Sequence, residues 1–117
     1  MKLVFVASPF RATTDWERWR NVHRAQELAL EVWKAGAVAV CPQANSAHFH
    51  ESLPDSRFLD GYLALLARCD AVLVGGQSAG VAAEMVHADE CGLPVFLTID
   101  ELSAWIERQE APLFADG

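Results

Sequence analysis

The sequence lacks a cysteine framework. Cys41, Cys69 and Cys91 are odd in number and widely spaced, so they form neither a fully paired disulfide scaffold nor a Cys-x-x-Cys metal knuckle, and they read as reduced core residues. No apolar run approaches the roughly 20 residues that span a bilayer. Met1-Lys2-Leu3-Val4-Phe5-Val6-Ala7 is too short, and too quickly followed by polar residues, for a signal peptide. The expectation is a cytoplasmic protein with no membrane contact. Basic clusters are missing as well: the nine Lys and Arg residues are scattered and the net charge is -7, which argues against polymeric nucleic acid as a partner. There is no internal repeat, low-complexity tract, linker or Gly-x-Gly-x-x-Gly fingerprint, the last of which weakens a reading as a dinucleotide-cleaving enzyme.

What is present is enough apolar residue, 52% of 117, for the core of one domain. Leu3-Val4-Phe5-Val6-Ala7, Ala37-Val38-Ala39-Val40-Cys41, Ala71-Val72-Leu73-Val74 and Leu93-Pro94-Val95-Phe96-Leu97-Thr98 are short continuous apolar runs of the kind buried on both faces of a parallel sheet. Between them lie helical patterns. Thr14 and Glu17 form a capping box for a helix over about residues 15 to 35, with Val22, Ala25, Ala29, Val32 and Trp33 at helical spacing and Gly36 as the stop. A second helix starts at an Asp55 or Ser56 cap after Pro54, a third at Ser78, and a last one at Asp100. The polar stretch after Pro42 reads as a loop. Strand and helix alternate throughout, which predicts an α/β fold: a three-layer sandwich with a parallel, Rossmann-like or flavodoxin-like sheet.

In such a sheet, ligands bind beyond the carboxyl ends of the strands. That edge receives Ser8 to Thr14, Gln43 to Ser56, and Gly75 to Ser78. Gly75 and Gly76 permit close backbone approach, and Ser78, Ala79 and Gly80 open a helix whose free N–H groups favour an anion such as phosphate. Taken alone, these are equally the turn and cap residues that any such loop needs. Glu84 shifts the balance: it lies among Ala82, Ala83, Met85 and Val86, roughly one and a half turns below the helix start. Asp60, near the start of the preceding helix, supplies a second acid expected at the same edge.

These residues resemble the nucleoside 2-deoxyribosyltransferase-like superfamily, which includes 2'-deoxynucleoside 5'-monophosphate N-glycosidases, and within it small phage-associated and bacterial DUF4406-type members. The resemblance covers about residues 1 to 98. It is carried by Val4-Phe5-Val6-Ala7-Ser8-Pro9-Phe10-Arg11, Cys41-Pro42-Gln43-Ala44-Asn45-Ser46-Ala47-His48-Phe49, Cys69-Asp70-Ala71-Val72-Leu73-Val74 and, most specifically, Ser78-Ala79-Gly80-Val81-Ala82-Ala83-Glu84 with Asp60 upstream. It implies a domain over residues 1 to 110 with a tail at 111 to 117, and an enzyme that needs no cofactor or metal. Glu84 would be the nucleophile that attacks the anomeric carbon of a (deoxy)ribose, and Asp60 would assist the leaving base. Ser78, where the family's transferases commonly carry Asp, implies a nucleoside 5'-monophosphate as substrate and water as acceptor. Ser8, Arg11, Asn45, His48, Gly76, Ala79 and Gly80 complete the expected substrate contacts. The family is usually oligomeric, so a homodimer or larger homo-oligomer is expected.

The sequence departs from the pattern at Pro42-Gln43, where look-alikes often read Pro-His, and at Val4, where the animal hydrolases place an aromatic hydroxyl. Two other functions fit the same residues: a non-catalytic nucleotide-binding sensor or inhibitor module, and a nucleoside deoxyribosyltransferase. His48, His50, Glu51 and His87 lack the spacing of a metal site. Trp16, Trp19 and Arg20 could form a partner surface, whereas Trp33 reads as packed on the sheet. Leu113 and Phe114 in the tail either fray or dock against a second subunit.

Overall fold

The computed structural model describes residues 1–110. Four strands, β1 (Leu3–Ala7), β2 (Val38–Val40), β3 (Ala71–Val74) and β4 (Val95–Phe96), form one all-parallel sheet in the order β2-β1-β3-β4. The helices are α1 (Asp15–Lys34), α2 (Pro42–Ser46), α3 (Asp55–Leu66), α4 (Ala79–Glu90) and α5 (Ile99–Glu110). This is the α/β, flavodoxin-like arrangement that the strand and helix alternation predicts. The expectation for Leu113 and Phe114 falls at 111–117, outside the described residues.

Alternation along the two central strands divides the core between the faces of the sheet. Val4, Val6, Ala71 and Leu73 pack with Val32 of α1 and with Leu102 and Ile106 of α5. Phe5, Ala7, Val72 and Val74 pack with Leu66 at the end of α3 and with Val81 and Ala88 of α4. Both faces are therefore covered, which is why these strands read as continuous apolar runs.

Local chemistry fixes the helix starts. Thr14 accepts a hydrogen bond from the Glu17 N–H at 3.1 Å, and Ser78 accepts one from the Val81 N–H at 3.1 Å. The last helix is capped by Thr98, which accepts from the Glu101 N–H at 3.2 Å, and not by Asp100, which lies inside the first turn. At the start of α3, Pro54 stands at the cap position and neither Asp55 nor Ser56 caps it. The stretch after Pro42 is not a loop throughout. Pro42 opens α2, and a 3-10 turn follows over Ala47–Phe49, because proline pre-sets the φ of a first helical residue. Trp33 faces outward and is half exposed, since it lies about 100° around the helix from the buried Val32.

The loops after β1 and β3 are clamped together. The Gly75 N–H donates to the Ala7 carbonyl at 2.7 Å, and a Cβ on Gly76, whose φ is +158°, would come within 2.9 Å of the Pro9 ring. Gly76→Ala is expected to lower stability by about 1–3 kcal/mol, because neither the backbone nor a proline ring yields cheaply. Gly61 is the control. It lies inside α3, where an added Cβ would meet nothing within 4 Å, so Gly61→Ala is expected to raise stability by about 0.5–1 kcal/mol. Thermal or urea unfolding of the two variants checks both signs.

Candidate active site

The connection from β1 runs to β2 and the chain then returns past β1 to β3, so the strand order reverses between β1 and β3. A crevice opens there, at the carboxyl ends of the two strands. It holds a cavity of about 280 Å³, close to the small end of ordinary small-molecule sites.

Glu84 lines this cavity. It occupies the core-facing phase of α4, with Val81 and Ala88 three residues before and four after, and is only 6% exposed. Burial pushes its carboxyl from the ordinary 4.5 up to about 7, with no opposing contribution from a cation or hydrogen-bond donor. Beside it stands Tyr62, whose phenol is raised first by burial and then by the Glu84 charge. The Tyr62 hydroxyl is hydrogen-bonded to Ser46 Oγ, which also bonds to the Pro42 carbonyl at 3.3 Å. The single hydroxyl proton of Ser46 goes to that carbonyl, so Tyr62 is the donor to Ser46.

Three unsatisfied polar atoms, on Gln43, Ser8 and His50, border the same space. Gln43 donates through Nε2 to the Ser8 carbonyl, which leaves its Oε1 buried without a partner. Ser8 Oγ is likewise buried and unpaired. Buried polar atoms without partners are uncommon, and their gathering around the cavity that Glu84 lines makes it the candidate site. The amides of Ala79 and Gly80 belong to the first turn of α4, where no intrahelical acceptor exists, and both residues line the cavity. At the mouth, Arg11 Nε lies 3.4 Å from Asp55 Oδ2 in an exposed ion pair. The wall is aromatic: Phe10 meets His50 edge-on with centroids 5.4 Å apart, and Phe58 leans on Tyr62 at 6.4 Å.

Of the residues singled out from the sequence, Glu84, Ser8, Arg11, Ser78, Ala79 and Gly80 come together around the cavity. Gly76 does not line it and serves the loop clamp. Asp60 is exposed and outside the cavity. The cause is helical phase: Asp55, Phe58, Leu59 and Tyr62 face inward at i, i+3, i+4 and i+7, and Asp60 lies about 200° around the helix from Tyr62. Asn45 is exposed and borders a different groove, because α2 turns Gln43 and Ser46 inward and Asn45 outward. His48 is exposed, and His50, two residues on, lines the cavity in its stead. From the sequence alone, Tyr62 and Asp55 have no site role, Gln43 stands out only as a departure from the family pattern at a base or sugar contact, and His50 is weighed only for a metal site that is rejected; the apolar face of α3 that includes Tyr62 is visible there, but not which cavity it meets. Among the described residues, no group of three or more His, Cys, Asp and Glu side chains could hold a metal ion.

The model of a family described as a domain of unknown function, DUF7768, matches residues 2–98. Among proteins of curated function, none matches this sequence. Of solved structures, a 2-deoxyribosyltransferase from the psychrotolerant bacterium Bacillus psychrosaccharolyticus is similar in fold, with a TM-score of 0.58 and 20% identity over 80% of this chain and 69% of that one. The matched family model is thus DUF7768 and not a DUF4406-type one.

The raised carboxyl of Glu84 fixes the sign of a stability effect. Its folded value lies above its free value, so the stabilisation from its proton is full below pH 4.5 and is lost as pH rises to about 7. Above that pH, the displacement corresponds to about 3 kcal/mol of lost stability. Glu84→Gln is therefore expected to unfold at higher denaturant than the parent at pH 8 and at nearly the same denaturant at pH 4.5. Urea titrations at the two pH values check this.

Proposed function

The chain belongs to the DUF7768 family, and from that premise and the geometry of the crevice we propose that it is an N-glycosidase acting on a (deoxy)nucleoside 5'-monophosphate. The observation that carries the reading is the desolvated Glu84 carboxylate in a cavity that the start of α4 also lines. Glu84 is five steps along the helix from Ala79, or roughly 8 Å, a span suited to a pentose with its 5'-phosphate. The phosphate sits on the Ala79 and Gly80 amides beside Arg11. Ionised Glu84 attacks the anomeric carbon, and the N-glycosidic bond breaks with its electron pair leaving on the base. Water then attacks the anomeric carbon, the ester C–O bond breaks with its electron pair returning to Glu84, and the proton the water loses balances the one taken up by the base.

The leaving base needs a proton or a hydrogen bond. In this reading Tyr62 takes the part that the resemblance gave to Asp60, because the phenol stays protonated beside Glu84 whereas Asp60 lies outside the cavity. The base displaces Ser46 as the acceptor of the Tyr62 proton. The aromatic wall of Phe10 and Phe58 offers the base an apolar seat.

Free base released from a panel of 5'-monophosphates, resolved by chromatography, tests the reading. Activity is expected for at least one member and is expected to vanish in Glu84→Ala. Its kcat/KM should rise with pH through about 7, as Glu84 loses its proton, and level off above. Tyr62→Phe is expected to lower kcat by about 100-fold, and Asp60→Asn by less than about threefold. The reverse order would return the leaving-group role to Asp60. A second reading is favoured by the position of Asp60, which leaves the cavity without a second unpaired carboxylate: a nucleotide-binding module without catalysis. Tight binding of a monophosphate with no base released from any would decide for it. Base exchange that requires an added free base would decide for a transferase.

A further inference from the structure

On α1, positions 16, 19, 23, 26, 30 and 33 are all exposed. They follow the 3-4-3-4-3 spacing of a coiled-coil seam, and four of the six are Trp16, Trp19, Leu30 and Trp33. Each of those four is more than half exposed. The face of α1 toward the sheet is a different one, with Ala25 and Val32 fully buried, so the seam is not left over from the core. Its two ends differ in shape. At the start, Trp16 and Trp19 stack with centroids 5.1 Å apart and planes 13° apart, and Trp19 rests on His23. At the other end, Leu30 and Trp33 border a groove of about 360 Å³ that runs between α1, the end of β2 and α2.

We propose that this seam joins two copies of the chain into a homodimer in which the α1 helices cross antiparallel. The aromatic pair and the groove are about 21 Å apart along the helix, so a two-fold axis at the level of residues 24 and 25 lays the pair of each copy over the groove of the other. Layers then match Trp16 with Trp33 and Trp19 with Leu30, with His23 against Gln26 at the axis. Charge agrees with this register. Exposed Arg20 and Glu27 lie on one flank of the seam, and the two-fold brings Arg20 of each copy to within about 3 Å in height of Glu27 of the other, giving two symmetric ion pairs. A parallel pairing would leave both grooves unfilled. The four large side chains contribute roughly 400 Å² per copy, about half of what a standard interface buries from each partner. β2, the edge strand beside α1, supplies neighbouring surface.

Sedimentation velocity on the full chain at tens of micromolar tests the seam. The parent chain is expected to be a dimer. Trp19→Glu, at an exposed position where folding is checked by circular dichroism, is expected to weaken association by at least about 30-fold. Arg20→Glu and Glu27→Arg are each expected to weaken it by about tenfold, and the double variant to return it to near the parent value. Both sites are solvent-facing, so this exchange does not depend on a core change. Leu113→Ser with Phe114→Ser is expected to leave the dimer intact. A monomeric parent chain, a dimer indifferent to Trp19→Glu, an unrescued double charge exchange, or a dimer lost with Leu113 and Phe114 would each overturn the proposal.

Discussion

A carboxylate on the core-facing stripe of a helix is an electrostatic burden, and the site is organised around that burden. Val81, Glu84 and Ala88 share one face of α4, and an apolar residue in the middle position would pack against the sheet at no desolvation cost. Glu84 stands at the crevice between β1 and β3, where the chain beyond the Gly75–Gly76 clamp departs toward neighbours on opposite sides of the sheet. The result is a group held near neutrality, yet open to a small molecule. In the proposed reaction such an acid, once ionised, would meet the anomeric carbon with little water competing for its lone pairs. The unpaired Ser8 Oγ and Gln43 Oε1 repeat the pattern: each carries a cost that a ligand's hydrogen bonds would remove.

Elsewhere among the described residues, buried side-chain polar atoms have partners. Thr14, Ser78 and Thr98 cap their helices, and Asp70 accepts from the Leu3 N–H at 2.8 Å at the opposite edge of the sheet. Unsatisfied buried side-chain atoms among the described residues lie on Ser8, Gln43 and His50, all of which line the same cavity. That concentration is what singles out this cavity as the candidate site.

The strands, their parallel arrangement and the Ser78 helix were legible in the sequence because they rest on local signals: continuous apolar runs, a capping side chain, glycine at a turn. Glu84 was legible for the same reason, as a charge within a run of small apolar residues. Asp60 misled because proximity along the chain to the right edge of the sheet says nothing about helical phase, and one residue of phase turns a side chain by about 100°. The inward set on α3 is legible only once its partner helix α4 is placed, and that placement is a tertiary fact. Asn45 and His48 failed for a related cause. A stretch read as loop has no faces to assign, whereas Pro42 in fact starts a helix with an inside and an outside.

That short helix also links the two surfaces of the molecule. Gln43 and Ser46 of α2 turn toward the cavity, where one carries the orphan acceptor and the other holds the Tyr62 hydroxyl. Ala44 and Asn45 of the same helix border the groove beside Leu30 and Trp33. Because the two faces belong to one five-residue helix, a partner seated in the groove and a ligand drawing on Gln43 would both bear on α2. Thermodynamic linkage then requires reciprocity: if association fixes α2 in the arrangement that the ligand prefers, the ligand strengthens association by the same factor. The proposed seam is for this reason more than a means of covering tryptophans. In the proposed dimer, the second copy would rest against the same short helix that carries Gln43 and Ser46.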